Sequence, residues 1–425
     1  MTQLINYCRG AGERRSLPKA RWSLLLLGTL LLLSVYYLIY DSEFEEGSVE
    51  GVSPLALPLR AISVFLIASS LAPFRLRQRA PVALIVLYLL SACSLAIAIG
   101  FSGELNDRLF LNTILQLPVL WALCQTKWAI DHVRLLRFIG ACLIVQSCID
   151  LAVMMLGQSL WLSEAFVGGF GNPSSFGLAC VVLSAFFLFH PEAGRCHLLK
   201  AVALSLAAIM SKSLFAVLCV GIIFIVWALR DIRRTLAGAV ALVFVAVGVN
   251  AWLSAHDEQL FILHKLSAAG AFVGLIDYDV DSATSVSARS DMHQRTFSAI
   301  ADEPVRFVLG HLEGKVYWPM DSQALTYLGS FGIVMLFSFL ALHATWMLCA
   351  LRNRAVDGGF AFIALGVFGA IFLTNRILDY FPVATIYFLC IAMATTNYPE
   401  HARVRFLSAH ATDFEVATRK RWTID

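Results

Sequence analysis

Long apolar stretches separated by short polar segments dominate this chain. A helix needs about 17 to 20 mainly apolar residues to cross a bilayer core of about 30 Å. Twelve stretches reach or approach that length, so the pattern predicts an all-α, polytopic integral membrane protein. They are residues 23–40, 56–74, 80–100, 109–125, 135–157, 173–190, 197–211, 213–229, 235–254, 323–350, 358–374 and 380–396. Lys212, between two of the shorter stretches, favours a turn there.

Composition agrees with lipid as the surrounding medium. Of the 425 residues, 59% are hydrophobic and only 14% are charged, which leaves too little polar surface to coat a soluble particle. The net charge of +3 gives no indication of a nucleic-acid partner. None of the ten cysteines lies in the longest polar segment, and their placement predicts neither a disulfide framework nor a metal cluster.

Positive residues predict the orientation, because Lys and Arg resist translocation. With a cytoplasmic N-terminus, 23 of the 32 Lys and Arg residues fall in cytoplasmic segments. The acidic loop at residues 41–50, on the other side, contains none. The pattern therefore predicts a bacterial inner-membrane protein with both termini in the cytoplasm.

One polar segment of about 70 residues interrupts this regular layout. Most connections in compact folds are only a few residues long, so a segment of this length indicates a functional element. Within it, the pattern predicts a helix over residues 287–301 that Pro304 terminates. The predicted organisation is a cytoplasmic segment (1–22), nine transmembrane helices (23–254), a periplasmic loop with short helices (255–322), three transmembrane helices (323–396) and a cytoplasmic tail (397–425).

Ionisable side chains within membrane spans cost roughly 2.5–3.5 kcal/mol each, so each one needs an explanation. Five such residues fall toward the outer ends of their predicted spans: Arg60, Asp150, Lys212, Arg376 and Asp379. One interpretation is that they extend to the interface or form structural ion pairs. The other is that they surround an outward-open cavity together with Arg289 and Arg295. Converging arginines suit an anionic ligand such as a lipid pyrophosphate.

Asp277, Asp279 and Asp281 form a D-x-D-x-D run that is compatible with a cation site. A calcium loop needs Gly at its sixth position and Glu at its twelfth, where this chain has Ser282 and Ala288. A solvated acidic turn is the alternative interpretation of this run.

Four segments, in chain order, carry a resemblance to a known family. They are the turn Gly168-Gly169-Phe170-Gly171-Asn172-Pro173-Ser174, the turn Ser211-Lys212-Ser213, the Arg289 helix followed by Pro304 and the Leu309–Gly314 turn, and the segment from Asp321 to Gly332. Together they resemble the bacterial O-antigen polymerase and O-antigen ligase superfamily of membrane glycosyltransferases. Lys212 stands where that family has Arg, which keeps the charge but loses the bidentate geometry.

The resemblance implies a reaction at the periplasmic face on a glycan carried by polyprenyl diphosphate. A polymerase joins the glycan to the next lipid-linked repeat unit, whereas a ligase transfers it to lipid A core. Ligases usually show His at the start of the span after the loop, where this chain has Asp321, and this favours the polymerase. Membrane lipids and a chain-length regulator protein are the further partners implied.

The hypothesised mechanism assigns a role to each candidate residue. Asp321 takes the proton of the acceptor hydroxyl, with His293, His311 and Glu313 as alternative bases. Arg289, Lys212 and Arg376 neutralise the departing diphosphate, and neither a metal nor a cofactor is required. The remaining candidates for binding the diphosphate or the glycan are Arg60, Arg295, Asn172 and His311.

A transporter or flippase for the same lipid-linked oligosaccharide is the alternative from a different class. Transporters of this kind often show an internal repeat and broken helices near the middle of the membrane. The two halves of this chain show no convincing similarity, and the ionisable residues gather toward one face. Both features favour the enzyme over the transporter.

Overall fold

The computed structural model describes twelve segments of the chain. These are residues 15–39, 55–74, 123, 126, 128–158, 160–161, 165–230, 284–315, 318, 320–357, 359–378 and 380–395. The predicted spans 80–100 and 235–254, nearly all of 109–125, the Asp277–Asp281 run and the cytoplasmic tail lie outside the described residues. The same holds for Asp379.

The described residues form helices joined by short turns, so the all-α prediction is confirmed for them. The one sheet among them is a parallel pair of two-residue strands, β1 (Arg15–Ser16) and β2 (Trp128–Ala129). The helices are α1 (Lys19–Leu33), α2 (Val35–Ile39), α3 (Ala56–Leu71), α4 (His132–Met155), α5 (Pro173–Phe189), α6 (His197–Met210), α7 (Leu214–Ala228), α8 (Thr284–Asp302), α9 (Pro304–Leu309), α10 (Gln323–Asp357), α11 (Phe360–Ile371) and α12 (Phe381–Thr395).

Two helices, α4 and the Gln323–Asn353 part of α10, are long and apolar enough to cross a membrane, and six shorter helices are also apolar. Their outer surfaces expose large apolar side chains, among them Phe65 at 70%, Ile222 at 59% and Phe337 at 63%. Apolar exposure on several helices of one bundle is typical of a surface that contacts lipid. The number of spans and their orientation stay predictions.

Helix α5 forms the centre of the bundle. Asn172 caps its first turn by accepting the Ser175 amide N–H at 3.0 Å, and Pro173 occupies the position where a missing N–H has no consequence. Every side chain from Ser175 to Phe189 is buried. A helix that is apolar on all sides needs neighbours on all sides, and here α4, α6, α7, α11, α12 and the Gly168–Phe170 turn supply them.

Helix α10 folds back on itself at Gly332, whose φ of 81° and ψ of 176° are not helical. The ring of Tyr327 lies 5.1 Å from that of Phe339, although residues twelve apart in a straight helix are separated by about 18 Å. Ala324 N also donates to Phe372 O, at the end of the twelve-residue α11. The predicted single span 323–350 is therefore a short arm, residues 323–331, followed by a long helix, residues 333–357.

The second part of the long polar segment, helices α8 and α9, packs on this arm. Ala299, Leu312, Trp318 and Met320 form a small separate core beneath α8. Trp318 N donates to Ser330 Oγ at 3.1 Å, which attaches this core to the arm. The predicted helix over 287–301 is observed as α8, which ends at Asp302. Pro304 begins the next helix, so α8 ends just before this proline, as predicted.

One end of the bundle is basic. Arg21 donates to Ser70 O, and the Arg134 guanidinium lies 5.1 Å from the centre of the Trp22 ring. Lys200 and Arg230 lie over aromatic rings at the same end. These cations come from the starts of α1, α4 and α6 and the end of α7, which are the segments that the charge pattern assigns to the cytoplasm.

Asp357 also lies at the basic end, beyond the apolar part of α10. Its carboxylate accepts the amide N–H of Gly359 at 2.8 Å and of Ala361 at 3.1 Å. Burial raises the pKa of this carboxyl above its ordinary value, while the two hydrogen bonds and the neighbouring Arg230 act in the opposite direction. The carboxylate therefore caps the turn that begins α11.

Candidate substrate-binding site

The glycine-rich turn before α5 is held by two polar side chains of α4, at the end of the bundle opposite the basic one. Asp150 Oδ2 accepts the amide N–H groups of Val167 and Gly168, both at 2.8 Å. Gln146 Oε1 accepts the N–H of Gly169 at 3.3 Å. These bonds satisfy backbone groups that are buried where water cannot reach them.

Asp150 therefore has a structural role in this turn. Its second carboxylate oxygen accepts the Tyr37 hydroxyl at 2.5 Å, so both oxygens are engaged. The sequence left two interpretations of Asp150 open, an interfacial or structural group and a group around a cavity. The observed hydrogen bonds of both oxygens are to groups of the protein itself.

Position 169 requires glycine, because the end of α1 leaves no room for a side chain there. A Cβ at this position would lie 2.0 Å from the Leu33 carbonyl oxygen, which itself accepts the Gln146 amide at 2.9 Å. The close approach of these two backbones locks the turn to the end of α1. The position and direction of Asn172, three residues later, follow from that contact.

Asn172 uses both halves of its amide. The oxygen caps α5, and the Nδ2 group donates to the Tyr380 hydroxyl at 3.0 Å, across 208 residues of sequence. Tyr380 is half-buried and immediately precedes α12. Asn172 was predicted from the sequence, whereas Tyr380 was not, although it follows the candidate Arg376 closely in the chain.

Arg60 lies near Tyr380. Its guanidinium is half-buried, 5.2 Å from the centre of the Phe381 ring, and Tyr380 is close enough to affect its electrostatics. Within the part of the chain that the structure describes, no carboxylate lies within 4.0 Å of this guanidinium. We refer to Arg60, Asn172, Tyr380 and Phe381 as the Arg60 cluster.

The loop between α11 and α12 connects the Arg60 cluster to Asp321. Gln323 Oε1 accepts the N–H groups of Ile377 and Leu378, at 3.0 and 2.8 Å. Ser322 Oγ donates to Phe372 O at 3.1 Å, so the start of the α10 arm is tied to both parts of this loop. The exposed Asp321 and the half-buried Arg376 are thus on hydrogen-bonded segments. Sequence reasoning missed Gln323, whose partners are 54 and 55 residues away.

Lys212 occupies the turn between α6 and α7, as predicted. It is buried at 7% exposure and has a left-handed φ of 53°, which is uncommon for a residue with a side chain. Phe166 N donates to Met210 O at 3.0 Å, so this turn is attached to the segment that leads into the glycine-rich turn. The turn that contains Lys212 is therefore attached to the segment that leads to Asn172 of the Arg60 cluster.

The candidates on α8 lie above the arm of α10. Arg289 is part of α8, and its side chain is outside the described residues. His293 is half-buried, whereas Arg295 is exposed and lines a surface cleft of about 440 Å³. The other charged side chains lining the cleft are all acidic: Asp291, Asp302, Glu303 and Glu313. An anionic ligand would be repelled there, so Arg295 is less suited to a diphosphate than Arg60.

His311 is buried in the turn after α9, in a left-handed conformation, and its N–H donates to Gly329 O at 2.6 Å. Glu313, two residues on, is exposed and pairs with Lys315 at 3.1 Å. The described structure thus brings together Arg60, Asn172 and the segments of Asp321 and Arg376. It places His311, His293 and Arg295 in the overlying α8–α9 unit.

Among the described residues, no group of three or more His, Cys, Asp or Glu side chains is arranged to hold a metal ion. No protein-family model matches the sequence, and comparison with curated proteins also finds no match. The geometry of the Arg60 cluster and the sequence resemblance described above are therefore the grounds for a functional proposal.

Proposed function

We propose that this protein is an O-antigen polymerase, a glycosyltransferase that joins a polyprenyl-diphosphate-linked glycan to the next lipid-linked repeat unit at the periplasmic face of the inner membrane. The observation that carries the proposal is the Arg60 cluster. It contains a half-buried guanidinium with no carboxylate partner among the described residues, beside a hydroxyl and an amide that hydrogen-bond to each other.

A guanidinium in such a place needs a compensating anion, because burying an unpaired charge is costly. A diphosphate supplies oxygens that match the planar fork of Arg60. The Phe381 ring holds the guanidinium on one face and leaves its N–H groups to point elsewhere. Tyr380 and Asn172 add hydrogen-bonding groups of the kind that position sugar hydroxyls.

The proposed reaction is a displacement at the anomeric carbon of the donor. The acceptor hydroxyl oxygen forms the new bond to that carbon, its proton passes to the Asp321 carboxylate, and the bond to the diphosphate oxygen breaks. The leaving polyprenyl diphosphate carries the negative charge that Arg60, Arg376 and Lys212 stabilise. Fixed cations placed where charge develops are typically the largest contribution to such a rate.

The test is a chromosomal deletion complemented with variants, with the surface polysaccharide resolved on a gel. Under the proposal, the deletion strain shows a single capped repeat in place of the ladder, and the wild-type gene restores the ladder. Loss of all capping would instead indicate a ligase. A deletion strain with an unchanged ladder would refute both activities.

Arg60→Lys and Arg134→Lys form a matched pair for the site. Both arginines lie over aromatic rings, at 5.2 and 5.1 Å, but at opposite ends of the bundle, and both changes preserve the charge that orients the protein. We expect Arg60→Lys to shorten or abolish the ladder, because lysine lacks the bidentate fork, and Arg134→Lys to retain it. Equal ladders from the two variants, at equal protein levels, would exclude Arg60 from the site.

A further inference from the structure

Helix α9 exposes three apolar side chains on one face. Val305, Val308 and Leu309 are 72%, 45% and 44% exposed, and the six-residue helix buries none of its side chains. We call these three residues the α9 patch. On the other side, Arg306 pairs with Glu303 at 3.3 Å, and Phe307 packs on the small core beneath α8. The helix is therefore amphipathic, with its apolar side outward.

The position of α9 is set by the fold-back in α10. At Gly332 an added Cβ would lie 2.2 Å from Val308 O and 2.6 Å from Gly310 N, so the end of α9 abuts the tip of the fold-back. Gly310 in turn touches the Ser330 carbonyl, where an added Cβ would lie at 2.5 Å. These contacts hold the α9 patch at the same level along the bundle as Gly332.

Gly332 also marks the point where α10 begins to expose apolar side chains. Each residue of the arm, 323–331, is buried or half-buried, whereas Val334 and Phe337 just beyond Gly332 are 53% and 63% exposed. From Val334 to Asn353, the end of the apolar part of α10, the helix rises about 30 Å, which matches a bilayer core. A bilayer core that matches this length would begin next to Gly332.

We propose that the α9 patch inserts into the lipid leaflet that surrounds the tip of the α10 fold-back, with acyl chains as its partner. The Val308 backbone abuts Gly332, and the exposed Val334 and Phe337 follow Gly332 within five residues, so the patch lies next to the exposed apolar start of the long helix. The Glu303–Arg306 pair on the other face of α9 then lies at the level of the headgroups. This attachment holds α8 and its acidic cleft over the bundle, independently of the sugar chemistry.

The experiment uses the full-length protein in lipid nanodiscs, with an environment-sensitive fluorophore attached through a genetically encoded amino acid at Val305. Phe337 is the reference for a lipid-facing position, and Asp302, which is exposed and lines the acidic cleft, is the reference for a water-facing position. Fluorescence is measured with lipids brominated along the acyl chain and, separately, with aqueous iodide.

We expect brominated lipid to quench the probe at Val305 as it does at Phe337, and iodide to quench only the probe at Asp302. Quenching of the Val305 probe by iodide, without an effect of brominated lipid, would overturn the proposal. Protection from both quenchers would also overturn it, because a protein surface, such as a second copy of the chain, would then cover the patch. Neither measurement involves a glycan, so its outcome is separate from that of the polymerase test.

Discussion

Among the side chains that do not belong to the Arg60 cluster, Asp150 is the one whose removal should affect the candidate site most. In Asp150→Ala, the amide N–H groups of Val167 and Gly168 lose their acceptor at 2.8 Å, and the Tyr37 hydroxyl loses one of its two acceptors, keeping Gln146 O at 3.2 Å. A buried donor without an acceptor costs about 1–3 kcal/mol. Two such amides predict a loss of about 2–6 kcal/mol in the free energy of unfolding, before the tyrosine is considered.

Two milder variants separate the contributions to this loss in the free energy of unfolding. Asp150→Asn keeps the oxygen that accepts both amides and loses the one that accepts the Tyr37 hydroxyl, so it should lose only about 0.5–3 kcal/mol. Tyr37→Phe removes the hydroxyl that donates to Asp150 and to Gln146 O, and a loss of about 0.5–3 kcal/mol is expected there too. Cys148→Ala, at an exposed position two residues away on α4, is the control and should change stability by less than about 0.5 kcal/mol.

The measurement is unfolding of the purified variants by titration with sodium dodecyl sulfate in mixed micelles. Loss of activity should follow loss of stability in this series, because Asp150 acts by holding the turn that positions Asn172. If Asp150→Ala were as stable as Cys148→Ala, the carboxylate would not hold the turn. If it were stable but inactive, Asp150 would act directly on a ligand, in agreement with the interpretation that the ionisable residues surround a cavity.

Two further predictions test the fold-back and the Arg60 cluster. Gly332→Ala should lower the melting temperature and release α9, because a Cβ would meet Val308 O at 2.2 Å and the φ of 81° disfavours any side chain. At Gly221, no described atom beyond the backbone of its own helix lies within 4 Å of an added Cβ, so Gly221→Ala should leave stability unchanged or raise it by up to about 1 kcal/mol. Equal melting temperatures for the two variants would contradict the fold-back. Tyr380→Phe should cost only about 1 kcal/mol through the lost bond to Asn172, yet reduce the polysaccharide ladder by more than Arg134→Lys does. An intact ladder in Tyr380→Phe would show that the hydroxyl takes no part in binding.

The α10 region shows where sequence reasoning reached its limit. The apolar run 323–350 predicted one span, since composition alone does not distinguish a straight helix from one that folds back. Gly332 is a weak signal, because glycine is common in membrane helices. The fold-back depends on the approach of Val308 and Gly310 from a different segment, and that contact is visible only in three dimensions.

For the candidate residues, too, one part was recognisable from the sequence and another part was not. Arg60, Asn172 and Arg376 were recognisable because a charge within an apolar span, or an Asn-Pro pair before one, stands out locally. The sequence suggested that the charged residues surround one cavity, but the contacts that connect their segments were not recognisable. Those contacts depend on Gln323 and Tyr380, whose partners lie 54 to 208 residues away. The hydrogen bonds of Asp150 were not predictable for the same reason, because both amides that it binds belong to another segment.

The sequence by itself determined which stretches of the described chain are helical and which segments carry the positive charge, because hydrophobic length and charge are local properties. The turn at Lys212 and the helix before Pro304 belong to this group. Only the tertiary structure decided which polar groups meet at the end of the bundle. Buried N–H groups must find acceptors, and in this bundle the acceptors come from helices that are neighbours in space and distant in sequence.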